Sequence, residues 1–98
     1  MGQEAPLAEE IWLRAFMTTW PREVVFGVRA LKSMPKTGIF SPEIMRLLHA
    51  APVVSSEKLG VGAKIIVEGH TCDDEFARVI CWIDCNSIEL HVLDVIKI

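Results

Sequence analysis

The sequence predicts an α+β fold: two helices packed on one face of a small antiparallel sheet, in the order helix, strand, helix and then three strands, with a curled, partly closed barrel as the variant. Three observations predict it. The last third reads as an antiparallel meander of three runs, Ala63–Glu68, Phe76–Ile83 and Ile88–Val95, whose residues sort by a period of two into one almost wholly apolar face and one mixed face. Two earlier segments carry apolar residues at helical spacing and are bounded by prolines. All of this fits within 98 residues, the length of one domain.

Met1–Ala5 reads as a frayed, flexible tail. Pro6 suits the first turn of a helix, where its missing N–H costs nothing. From Leu7 to Trp20 apolar residues fall at 7, 8, 11, 12, 15, 16 and 20, with Leu13 and Met17 widening the stripe. Glu9 and Glu10 favour the positive end of the helix dipole, and Pro21 stops the helix. Val24–Leu31 is predicted as a strand on its β-branched start, with Gly27 marking a bulge or a close backbone approach. Ser33–Phe40, holding Pro35 and Gly38, is a connector. Ser41, Pro42 and Glu43 form a helix start with Ser41 as N-cap. Ile44, Leu47, Leu48 and Ala51 make its buried stripe, and Pro52 ends it. Val53–Gly62 is a loop or a short edge strand.

The meander has two unlike faces. With turns centred on Cys72 and on Cys85–Asn86, the three strands align without a register conflict, and His91 lies opposite Ile80. One face then collects Ala63, Ile65, Val67, Ala77, Val79, Cys81, Ile83, Ile88, Leu90 and Val92, and should lie beneath the helices. The other mixes Ile66, Phe76, Ile80, Trp82, Leu93 and Val95 with Lys64, Glu68, Arg78, Glu89 and His91. A small monomer rarely leaves so much apolar sheet wet. The composition, 51% hydrophobic against 23% charged, points the same way.

These residues predict a protein that binds rather than catalyses. It is expected to form a homodimer through the mixed face, with Ile66, Phe76, Ile80, Trp82 and Leu93 as the apolar centre and Lys64, Glu68, Arg78, Glu89 and His91 as the polar rim. A different protein or an apolar small molecule is the other occupant of that surface. The alternative is a small-molecule-binding protein or enzyme with a pocket between the sheet and the first helix, lined by the mixed face and holding His91 and Glu89. No cofactor and no catalytic residue is expected. A net charge of −3, with Lys and Arg scattered, argues against nucleic acid. No apolar run approaches a membrane span.

The other chemistry-bearing residues have plainer readings. His70 and Cys72 are a weak metal pair in the loop Gly69–Glu75, short of the four converging ligands that zinc needs. The same two residues are the one local nucleophile–base combination. Cys81 falls on the apolar face as a small hydrophobe. His49 suits the end of the second helix. Gly60-Val61-Gly62 lacks the third glycine and following helix of a dinucleotide motif. Gly2 without Ser or Thr at position 6 is no myristoylation signal. Three cysteines, an odd and small number, and a polar acidic start predict a cytoplasmic protein.

Overall fold

The computed structural model describes residues 8–19, 24–84 and 89–98. Its elements are α1 (Ala8–Thr19), β1 (Val24–Phe26), α2 (Val28–Thr37), α3 (Ser41–Ala50), β2 (Val53–Leu59), β3 (Gly62–His70), β4 (Phe76–Asp84) and β5 (Glu89–Lys97). The class is α+β, with three helices and a five-stranded sheet in the order β1-β5-β4-β3-β2. The sheet is open, with β1 and β2 as its edges, so the barrel variant is not adopted. It is also mixed: β1 runs parallel to β5, while the other three pairings are antiparallel.

The predicted strand at Val24–Leu31 is the largest departure. Only Val24–Phe26 is strand; Val28 starts a helix that consumes most of the expected connector. Gly27 makes the switch. Its N–H donates to the Val92 carbonyl at 2.9 Å, extending the β1–β5 pairing, while its own carbonyl accepts from Leu31 N–H at 3.0 Å. A Cβ at Gly27 would press on the Val92 carbonyl at 3.3 Å, so the close backbone approach is real. Helix α2 turns Ala30, Ser33, Met34 and Thr37 inward, one and two positions per turn, and ends at Gly38 in the left-handed region (φ 75°).

Helix α1 is rotated from its expected setting. Leu13, Phe16 and Met17 are its buried residues, whereas Ile11 is 60% exposed and Ala8 and Ala15 face out. Phe16 of the expected stripe is kept and Trp12 packs against the core, while Leu13 and Met17, which bury more apolar area than Ala8 and Ala15, turn inward. Leu7 and Trp20 lie outside the described residues. Helix α3 keeps its predicted stripe of Ile44, Leu47, Leu48 and Ala51, but its N-cap is extended Phe40, one residue before Ser41, with no side-chain capping bond. Arg14 ties α1 to the end of α3, donating to the Leu48 carbonyl at 2.8 Å and to the Ala51 carbonyl.

The meander keeps its faces but not its registers. The loop between β3 and β4 is centred on Asp73, so Glu68 lies opposite Arg78 and His70 opposite Phe76. Between β4 and β5, His91 lies opposite Trp82 rather than Ile80. Both differences are two residues, which preserves which side each residue faces. One disruption does not. A bulge after Cys81↔Val92 makes Leu93 an extra residue, so Ile80 pairs with Asp94 and Val79 with Val95. Val95 therefore lies in the core at 1% exposure, not on the mixed face as expected. The Asp94 carboxylate accepts the Val95 N–H at 2.9 Å and the Ser33 hydroxyl at 2.6 Å, which secures the bulge against α2.

All three helices contribute buried apolar residues to one core with Ile65, Val67, Ala77, Val79, Cys81, Ile83, Leu90, Val92 and Val95. The helices thus cover the apolar face, as expected. Ile88 and Cys85–Asn86 lie outside the described residues.

Candidate functional site

The face turned away from the helices is built in cross-strand rows. Working along β3, the rows are Lys64·Trp82·His91, then Ile66·Ile80·Asp94 with the extra residue Leu93 beside them, then Glu68·Arg78·Ile96, then His70·Phe76. Ile66, Ile80 and Trp82 are half-buried by their neighbours alone, and Leu93 is exposed. Trp82 owes its setting to Gly62. A Cβ at Gly62 would come within 2.3 Å of the indole and 2.4 Å of the Ile83 carbonyl, so the ring lies across a position where only hydrogen fits. Glu68 accepts from Arg78 Nε at 2.7 Å, a cross-strand ion pair next to the isoleucines. His91 Nε2 and Glu89 Oε1 are 3.0 Å apart.

This arrangement brings together Ile66, Ile80, Trp82, Leu93, Arg78 and His91 of the predicted surface. Glu89 borders it through His91. Phe76 is separated from Ile80 by the Arg78 row and instead meets His70 edge-on, with ring centroids 5.0 Å apart. The apolar centre is therefore smaller than the sequence suggested, though exposed Val25 and Ile96 extend it towards the β1 edge.

His70 and Cys72 have different partners in the structure. Arg46 donates to the His70 carbonyl at 2.7 Å and His70 packs on Phe76. The Cys72 thiol hydrogen-bonds the Glu43 carboxylate. That bond, with the charge of Glu43, raises the thiol's pKa and holds the Glu43 carboxyl below its ordinary value, where Arg46 also acts. A nucleophilic cysteine needs the opposite shift. The loop's polar residues have structural work: the Thr71 hydroxyl accepts from the N–H groups of Asp73 (3.3 Å) and Glu75 (3.2 Å), and Asp74 adopts φ 63°. Among the described residues no cluster of His, Cys, Asp and Glu could hold a metal. Cys81 is fully buried, and burial raises its thiol pKa far above the ordinary value. His49 is exposed near the end of α3.

A second concavity was not read from the sequence. A cavity of about 450 Å³ lies between the start of α1 and the β2–β3 hairpin, walled by Trp12, Val61, Ala63 and Ile83, with Glu9 and Lys58 as its charged residues. It is on the helix side of the sheet, so it does not contain His91 or Glu89. The expected pocket lined by the mixed face and closed by α1 does not form, because α1 packs against the opposite face. Gly60 and Gly62 were the available signal, but the two-residue hairpin with Gly60 at φ 64° and the Trp82 ring lying across Gly62 explain them without a ligand.

Compared with known proteins, the chain matches no family model, and no curated protein or solved structure is significantly similar to it. No described helix is long and apolar enough to cross a membrane.

Proposed function

We propose that this protein is a non-catalytic interaction module of the cytoplasm that forms a homodimer through the open face of its sheet. The observation carrying this reading is that no described element covers Ile66, Ile80, Trp82 and Leu93, although charged rows frame them as a rim frames an interface core. The size agrees. Strand spacing of about 4.8 Å and a rise of about 3.3 Å per residue give the face a footprint of roughly 600 Å², near the ~800 Å² each partner buries in a standard interface.

Charge placement favours a second copy as the occupant. Lys64 and Glu68 lie one row to either side of the Ile66·Ile80 row on the same strand. A two-fold axis along that central row sets Lys64 over Glu68 of the second copy, and Trp82 over Arg78 of the second copy, where a guanidinium meets an indole face. The free thiols of Cys72 and Cys81 suit a reducing compartment.

Sedimentation velocity over a concentration series tests this. A dimer is expected, converted to a folded monomer by Ile80→Asp and weakened about tenfold by Lys64→Glu, which opposes two carboxylates across the axis. A wild-type protein that stays monomeric at all concentrations overturns the proposal.

A second reading rests on the cavity between α1 and the β2–β3 hairpin. Its volume is that of a small-molecule site.

A further inference from the structure

The chemistry of that cavity is specific enough to name a class of ligand, an inference that rests on the second reading above. We infer that the cavity takes a planar aromatic molecule bearing one anionic group, its ring against Trp12 and its anion towards Lys58.

The aromatic part follows from Trp12. This indole lines the cavity and also stacks on Phe16, with centroids 5.0 Å apart and planes inclined by 16°. Phe16 is itself buried in the core. The indole is therefore held in orientation before any ligand arrives, and a flat ring placed against it extends an existing stack. Val61, Ala63 and Ile83 supply apolar walls, and Gly60 and Gly62 add no side chain to fill the space.

The anionic part follows from Lys58. The register sets Lys58 opposite Ala63, which is itself opposite Ile83, which is opposite Leu90. That row faces the helices, and its other three members are buried apolar residues. Lys58 is thus a cation on the helix side of the sheet, at the border of a cavity; unlike Lys97 on the same side, which pairs with Glu75, it has no ion pair among the described residues. Glu9 borders the same cavity from α1. Its charge opposes an anion, so the ligand's acidic group must lie on the Lys58 side, and removing the Glu9 charge must help binding.

Isothermal titration of the full chain with 2-naphthoate, and with the neutral 2-naphthalenemethanol, tests the inference. One naphthoate per chain is expected, weakened about tenfold by Lys58→Glu and tightened about threefold by Glu9→Gln. The neutral probe should bind more weakly and ignore both substitutions. Backbone amide shifts should centre on Lys58, Gly60–Ala63 and Ile83. If both probes bind there equally and Lys58→Glu is silent, the ligand class is wrong while the cavity remains a site. If neither probe binds, or the shifts centre on Ile66, Ile80 and Trp82, both the inference and the second reading fail.

Discussion

Ile65 and Ile66 are chain neighbours of identical chemistry on opposite sides of one sheet. Ile65 is 0% exposed among residues from the helices; Ile66 is screened only by its own strand neighbours. The whole molecule repeats this contrast. The helix side of β3 and β4 carries no charged residue, and its apolar side chains are buried. The far side carries a charge in most rows and leaves its apolar groups partly wet. Burial by the helices, not residue type, separates the residues that hold the chain together from those left partly exposed.

The contrast breaks most visibly under truncation. Ile65→Ala should cost about 3 kcal/mol in urea unfolding, because it removes three carbons from a fully buried site with helices above it. Ile66→Ala should cost less than about 1 kcal/mol in dilute protein, since much of its lost contact is with water. Equal losses would mean that the far side is as deeply packed as the near one. Gly62→Ala comes next and joins the two sides. Its methyl meets the Trp82 ring and the Ile83 carbonyl together, so a cost of about 2 kcal/mol is expected in the same assay. The indole should also move, and a shift of Trp82 fluorescence in a Trp12→Phe, Trp20→Phe background would report it.

The cysteines sharpen the contrast with the smallest effect. In a Cys85→Ser background, Cys81 should resist alkylation until the chain unfolds. Cys72 should react in the folded state but more slowly than an unperturbed thiol, because its hydrogen bond to Glu43 favours the protonated form. Glu43→Gln should speed it. The same bond gives a pH signature. The folded carboxyl of Glu43 titrates below its unfolded value, so its contribution to stability is present above the unfolded pKa and is lost as pH falls through the folded one. A carbon-13 titration should show the Glu43 midpoint rising in Cys72→Ala.

The two sides were legible in the sequence because alternation survives an error of two residues in register. Nothing in the run Glu89–Lys97 announces that Leu93 is an extra residue, and that one insertion moved Val95 inside. The missed helix α2 has a comparable cause. Half of its inward stripe is polar, Ser33 and Thr37, and the β-branched start at Val24–Phe26 argues for strand in isolation; the backbone reverses character at Gly27 only because Val92 is there to accept its N–H. Pro35 inside the helix argued further against it. The cavity depends on how closely α1 approaches a hairpin more than forty residues away, a tertiary distance that no local pattern encodes.

The parallel pairing of β1 with β5 has a consequence in time. Strands β2 to β5 follow one another, so each finds its partner through a short loop. Strand β1 has only three residues, and its neighbour lies at the other end of the chain. During synthesis it waits until the last strand is made, and the long closure it requires is rewarded by few hydrogen bonds. On this topology the meander should form early, and β1 with the start of α2 should dock late and exchange its amide protons first.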